Sequence, residues 1–109
     1  MKAVIIKLNH QKAIDELGQA QLDNMYYKID RIYAGVWNMK KVDNKTFPFP
    51  DEEAVIYCGD LEYQELVGAS IGIKKYFTWL KRYAVIWNLY DSSDGEMEDL
   101  IEGLFHSEL

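Results

Sequence analysis

The sequence is poor in the residues that build disulfides, zinc sites and nucleophilic active sites. It has one cysteine and two histidines in 109 residues, and His10, Cys58 and His106 lie far apart along the chain. One thiol cannot close an intramolecular disulfide, so a reducing, cytoplasmic setting is expected. Zinc sites usually take closely spaced ligand pairs, and a nucleophile needs a neighbouring base. The sequence therefore predicts a protein that has no cofactor and is not an enzyme.

Long apolar runs are missing, and basic residues are missing from the tail. The first apolar run, residues 3–6, is far too short for a signal-peptide core or a membrane span. From Asp91 onward the chain has seven carboxylates and no Lys or Arg, so this tail carries −7, residues 1–90 carry +1 and the net charge is −6. A second acidic run lies at 51–65, in a stretch without a basic residue. This charge asymmetry is the most unusual feature of the sequence.

What the sequence does contain is the string Ala-Val-Ile, three times. Each copy belongs to a short run of strand-favouring residues that ends at polar or turn residues, at 3–8, 54–58 and 84–90. Nearly continuous apolar runs of this length are typical of strands covered on both faces. The flanking sequences differ, so the string is not an internal repeat. We predict a three-stranded sheet in a single compact domain, residues 1–109.

Helical periodicity fills the segments between these strands. Residues 10–39 favour helix with a break or kink at Gly18, although residues 33–42 also suit a strand that pairs with 54–58. A crossover helix joining parallel neighbours is predicted by the spacing of Leu66, Ser70, Ile73, Phe77 and Leu80. A capping box, Ser93-x-x-Glu96, is expected to open a last helix. The predicted fold is α/β with three strands and about three flanking helices, or α+β if residues 33–42 form an extra strand.

Specific side chains follow from this fold. The residues expected in the core are Val4, Ile6, Val55, Val85, Trp87, Leu66, Ile73, Phe77 and Ile101. Small residues from Gly68 to Gly72 are expected to make a surface at which another element packs closely.

Two stretches imitate ligand-binding loops but fail their spacing. "VGASIGIKK" has three residues between its glycines, whereas a phosphate-binding loop has four and a Lys directly after the second glycine. "DSSDGEMEDLIE" places Gly95 fifth, one position before the turn glycine of a calcium loop. A capping box explains the same letters better. Neither nucleotide nor calcium binding is predicted.

The stretch "KKYFTWLKR" interleaves basic and aromatic residues, as nucleic-acid-binding surfaces do. Projected on a helix, the basic residues Lys74, Lys75, Lys81 and Arg82 fall on one solvated edge. The aromatic residues Tyr76, Trp79 and Tyr83 fall on another flank, where they are expected to pack. A stacking platform needs both kinds of residue on one exposed surface, so nucleic-acid binding by this stretch stays an alternative.

The predicted last helix concentrates negative charge. Glu98, Asp99 and Glu102 lie opposite its apolar stripe with Glu96 nearby, and four carboxylates over about 9 Å of helix approach the charge density of a DNA duplex. Solubility and the helix dipole also favour acids at such a place. Those two effects do not account for the second acidic run at 51–65.

The opening "MKAVIIKLN…AIDEL" followed by "MYYKID" resembles barstar-like ribonuclease inhibitors, which begin with a strand and use helix carboxylates against a basic cleft. The likeness covers about a quarter of the chain. Arg31 and Gly35 stand where the acidic pair of that family would be expected, so no site residue carries over. In size, acidity and lack of a catalytic motif the chain is also similar to phage-encoded inhibitors of host nucleases, including anti-CRISPR proteins.

These observations lead to one functional prediction with two alternatives. We expect an acidic, non-enzymatic inhibitor that binds a basic, nucleic-acid-processing protein by mimicking or competing with nucleic acid, without itself binding nucleic acid or membranes. The alternatives are an adaptor or immunity-type inhibitor without mimicry, and nucleic-acid binding through residues 74–82. Aromatic residues in the proline-bounded loop would supply the apolar anchor. The expected partner-binding residues are Glu96, Glu98, Asp99, Glu102, Asp60, Glu62, Glu65, Phe47 and Phe49.

Overall fold

The structure is a computed structural model that describes residues 1–45, 47 and 49–105. Its strands are β1 (Lys2–Leu8), β2 (Lys40–Val42), β3 (Val55–Gly59), β4 (Ala84–Asp91) and β5 (Glu96–Asp99). Its α-helices are α1 (His10–Leu17), α2 (Gln19–Asp30), α3 (Tyr63–Tyr76), α4 (Leu80–Tyr83) and α5 (Leu100–Phe105). A π-helical segment, Arg31–Val36, continues α2.

The five strands form one antiparallel sheet in the order β2-β3-β1-β4-β5. The central strand β1 pairs with both β3 and β4. These two strands therefore run parallel to each other but are separated by β1, and α3 crosses over β1 to connect them. Over the described residues the fold is α+β with five strands and five α-helices, so the prediction of a three-stranded α/β sheet with about three helices is wrong.

Both strands that the three-stranded prediction omitted have polar sequences. β2 is Lys-Lys-Val and takes up only the end of the 33–42 segment, for which a strand was the alternative prediction. β5 is Glu-Met-Glu-Asp, a composition that is poor in strand formers, yet it pairs with β4 through a hairpin. The number of helices also differs from the prediction. Gly18 at φ +92° separates α1 from α2, as predicted, but residues 77–79 also interrupt the helix between α3 and α4.

The main core lies between the sheet and the helices. The predicted core residues that are buried there are Val4, Ile6, Trp87, Leu66 and Ile73, and those packed at its edge are Val55, Phe77 and Ile101. Val85 was wrongly predicted in the core, since 49% of it is exposed. The pairing of β1 with β4 shifts register between Lys7 and Leu8, so Ala84 takes the core-facing position instead.

The opposite face of the sheet carries a smaller apolar cluster, which the loop between β2 and β3 covers. Its fully buried strand residues are Ala3, Ile5 and Ile56. An ion pair fixes the loop, because Lys7 Nζ on β1 lies 2.8 Å from Asp51 Oδ2. Their hydrogen bond also lowers the pKa of Asp51.

One buried chain of hydrogen bonds joins the sheet to the helices. Ser70 Oγ donates to the carbonyl of Leu66 at 3.0 Å and lies 3.1 Å from the Tyr33 hydroxyl. Trp87 Nε1 donates to that hydroxyl at 3.0 Å. Because each hydroxyl has one proton, the chain runs in a single direction, from Trp87 through Tyr33 and Ser70 to Leu66. Every member is thus satisfied inside the core.

Candidate functional site

Residues 91–99 of the acidic tail form a hairpin, so the last helix begins at Leu100 and not at the predicted Ser93 capping box. Asp91 Oδ1 accepts from the Ser93 backbone N–H at 3.0 Å, and Asp94 Oδ1 accepts from the Glu96 N–H at 2.9 Å. Gly95 supplies the left-handed residue of the turn at φ +71°. These side chains satisfy turn donors that a helix would have used, so the capping-box prediction is wrong.

The strand geometry divides the acids that a helix would have grouped. Side chains alternate along a strand, so Glu96 and Glu98 share one face of β5 while Asp99 lies on the other. Asp99 instead begins α5, because its Oδ1 accepts from the backbone N–H groups of Ile101 at 2.9 Å and Glu102 at 3.2 Å. The predicted helical face of Glu98, Asp99 and Glu102 therefore does not exist.

The fold brings the second acidic run to the same place. Tyr63, in the first turn of α3, donates its hydroxyl to Glu98 Oε2 at 2.7 Å, and this hydrogen bond raises the pKa of Tyr63. The shallow depression between α3 and the hairpin is lined by Tyr63, Leu89, Asp91, Asp94, Glu96, Met97 and Glu98. The acids that line the depression all come from β4 and the hairpin, and the Tyr63 contact places the start of α3, with Glu62 and Glu65, beside them.

We call this surface the acidic end of the sheet, and its exposed members are Asp60, Glu62, Glu65, Asp94, Glu96 and Glu98. Asp60 joins it through the amino terminus, whose nitrogen lies 3.6 Å from Asp60 Oδ1. The Met1 carbonyl in turn accepts from the Ser92 N–H at 3.0 Å. Glu65 belongs to the first turn of α3, whereas Glu102 lies on α5 beyond the hairpin.

Little positive charge offsets this surface. Lys2 Nζ lies 3.9 Å from Asp91 Oδ2. The pKa of Asp91 is lowered mainly by the N–H of Ser93, and less by Lys2. Among the described residues, the side chains of Glu62, Glu65 and Glu96 have no hydrogen-bond or ion-pair partner, so their charges face solvent.

The two phenylalanines predicted as anchors lie elsewhere. Phe47 and Phe49 pack against the small cluster on the opposite face of the sheet, where both are half-buried. The Phe47 ring contacts Tyr90, with 5.3 Å between the centroids. They cover the sheet and do not form a rim around the acidic end.

The alternative prediction, nucleic-acid binding through residues 74–82, assumed one continuous helix, but α3 ends at Tyr76. Arg82 is paired with Glu16 at 2.8 Å, and Lys74 Nζ donates to the Leu104 carbonyl. The projected aromatic flank is also wrong in part: Tyr83 is buried, but Tyr76 is 76% exposed. The stretch therefore lacks the continuous surface of cations and rings that a stacking platform needs.

A second polar cluster, which the sequence did not reveal, joins β1, α1, α2 and the loop. The Tyr26 hydroxyl accepts from the Leu8 N–H at 2.9 Å and lies 2.6 Å from His10 Nε2. On the other side of the same ring, His10 Nδ1 lies 3.4 Å from Glu53 Oε2. Burial raises the pKa of Tyr26, which disfavours the phenolate form that a nucleophile would need. The contacts of this cluster instead tie the four elements together.

Neither a metal site nor a membrane span is found in the part of the chain that the structure describes. No three His, Cys, Asp or Glu side chains there come together as metal ligands. None of the helices in those residues has the length and apolar character needed to cross a bilayer. Comparisons with protein-family models, with curated proteins and with solved structures gave no match to this chain.

Proposed function

We propose that this protein binds a basic surface of a nucleic-acid-processing protein through the acidic end of the sheet. It inhibits that partner by occupying the Lys and Arg groups that would otherwise hold phosphates. The observation that supports the proposal is the convergence of two acidic runs, which meet where Tyr63 donates to Glu98 at 2.7 Å. Solubility alone requires a net charge, but it does not require that distant acids share one surface.

The spacing of the charges favours competition for cations over a copy of a nucleic-acid backbone. Glu96 and Glu98 lie two residues apart, about 6.8 Å along a strand. A DNA strand carries one charge per about 3.4 Å of rise, so β5 alone has about half that density. Glu62 and Glu65, at the start of α3, add negative charge from a second element. The resulting surface is a patch, which suits a basic patch or cleft on a protein.

Electrostatic attraction sets how the complex would form. Exposed carboxylates steer a basic partner during diffusion, so the association rate falls as salt screens the surface. Charge alone gives modest affinity, and an apolar contact at the centre is needed. Tyr63, which lines the same depression and is 45% exposed, is the large side chain available for that contact, whereas Met97 lies on the other face of β5.

The test removes charge from acids that have no structural partner among the described residues. The variant Glu62→Gln, Glu65→Gln, Glu96→Gln loses three charges and retains the fold. A matched control, Asp15→Asn, Asp23→Asn, Glu52→Gln, loses three exposed charges from α1, α2 and the loop. Both are compared with the parent in pull-downs from host extract, and captured proteins are then purified for binding kinetics.

We expect the parent and the control to capture a basic protein that an oligonucleotide displaces, and the acidic-end variant to lose it. The association rate of the parent should fall with salt, and that of the acidic-end variant should be lower and less salt-dependent. Equal loss in both variants would mean that general charge, and not this surface, drives capture. Capture that no oligonucleotide displaces would refute inhibition by competition.

A further inference from the structure

A nearly wholly apolar groove runs between the π-helical segment and α3. It is lined by Ile32, Val36, Trp37, Gly68, Ala69, Gly72, Ile73, Tyr76 and Phe77. Its two walls reach far into solvent, because Val36 is 68% exposed and Tyr76 is 76% exposed. A contiguous exposed apolar patch on a soluble domain marks an interaction surface.

The floor of the groove is open. A β-carbon built on Gly68 or Gly72 would meet no heavy atom within 4 Å. The sequence predicted a small-residue surface here for close packing of another element, but no described element of this chain fills it. The two glycines lie one helical turn apart, so a backbone can approach α3 closely over that length. Such a floor suits a helix better than a bulky ligand.

The rim of the groove is basic. Lys28 and Arg31 line an adjoining depression that shares Ile32, Val36 and Phe77 with the groove. On the other wall, Lys75 Nζ lies 5.8 Å from the centroid of the Tyr76 ring. None of these three cations forms an ion pair with a described residue. Their charges are therefore available to a partner.

We propose that this groove docks an amphipathic helix of a partner protein, with an apolar face toward Gly68 and Gly72 and acidic residues along its flanks. The span from Gly68 to Tyr76 is about 12 Å, or two helical turns, which matches anchors at i, i+3 or i+4, and i+7. The flanking acids would meet Lys28, Arg31 and Lys75. Symmetric pairing of two grooves is disfavoured, because it would bring the same cations together. The site is independent of the acidic end of the sheet.

The experiment uses two synthetic amphipathic peptides of about 18 residues, roughly five turns, with identical leucine faces. One carries Glu along both flanks and the other carries Lys. Each is titrated into the ¹⁵N-labelled full-length protein while amide shifts are followed. We expect the Glu peptide to bind saturably and to shift Gly68, Gly72 and Trp37. Its affinity should exceed that of the Lys peptide by about tenfold.

Two variants separate docking from folding. Gly72→Leu replaces a helix-interior glycine with a better helix former, so the variant should melt at a higher temperature than the parent. Because the leucine fills the open floor, the variant should bind the Glu peptide at least about tenfold more weakly. Gly103→Leu, also open at its β-carbon but on α5, is the matched control and should bind normally. Lys28→Glu with Arg31→Glu should reverse the preference between the peptides.

Several outcomes would overturn the proposal. It fails if the Glu peptide gives no saturable shifts at the groove, or if Gly72→Leu binds as tightly as the parent. Equal binding of both peptides would refute the proposal that the partner helix has acidic flanks. Concentration-dependent dimerisation in sedimentation that Gly72→Leu abolishes would identify a second copy as the occupant instead.

Discussion

Replacing Tyr33 with phenylalanine tests the buried hydrogen-bond chain directly. Phenylalanine keeps the ring, which is fully buried and lies 5.4 Å from the Tyr57 ring, and removes only the hydroxyl. The Trp87 N–H then loses its acceptor at 3.0 Å, and Ser70 loses its donor. The substitution therefore removes hydrogen bonds from the core and hardly changes the volume that the side chain fills.

The expected cost follows from the group that is left unsatisfied. A buried donor without an acceptor costs about 1–3 kcal/mol, and we expect Tyr33→Phe to lose about 2 kcal/mol of unfolding free energy. Ser70→Ala should cost less, since alanine is also the better helix former by up to about 0.7 kcal/mol. In the double variant Tyr33 no longer needs an acceptor at Ser70, so the two losses should not add, with a coupling of about 1 kcal/mol.

Urea unfolding followed by tryptophan fluorescence measures these values for the parent, both single variants and the double variant. A stability of about 5–15 kcal/mol makes a loss of 2 kcal/mol easy to resolve. The midpoint should fall while the m-value stays constant. A change below about 0.5 kcal/mol for Tyr33→Phe, or additive losses in the double variant, would refute the coupled hydrogen-bond chain.

Two further predictions concern the same fold. Burial raises the pKa of Tyr33 to about 12, whereas an unfolded tyrosine titrates near 10. The contribution of this group to the free energy of unfolding is therefore fully present below about pH 10. It falls by about 3 kcal/mol as pH rises toward 12. Urea titrations at pH 9 and 11.5 should show a smaller loss in Tyr33→Phe, and an equal loss would contradict this account. At the start of α5, Asp99→Ala should lose about 1 kcal/mol while Asp99→Asn keeps the cap, as thermal melts would show; equal melting of these two variants would contradict the capping role.

The strand positions were predictable because each Ala-Val-Ile run must be buried, but their order was not. Pairing is a long-range choice, and no local signal places β1 between β3 and β4. β5 was missed because tertiary pairing with β4 overrides the weak strand propensity of Glu96 to Asp99. Val85 was misplaced because strict alternation cannot foresee a register shift.

For the candidate site, the sequence located the charge but not its geometry. The acidic runs were visible in composition, yet the contact between Tyr63 and Glu98 joins positions 35 apart. Phe47 and Phe49 were taken for exposed anchors, because nothing local indicated that their loop folds back over the sheet. The small residues around Gly68 and Gly72 were recognised, whereas the walls of the groove come from the distant π-helical segment.

The outer strand β5 has a consequence for how this protein tolerates change. An exposed sheet edge invites pairing with other chains, and charged side chains are a common protection against it. Every residue of β5 is exposed, and three of its four residues are acidic. Substitutions that neutralise Glu96, Glu98 and Asp99 together would therefore remove a barrier to fibre-like association along with any binding surface. The charges of this strand thus limit self-association through the sheet edge, independently of any role in binding.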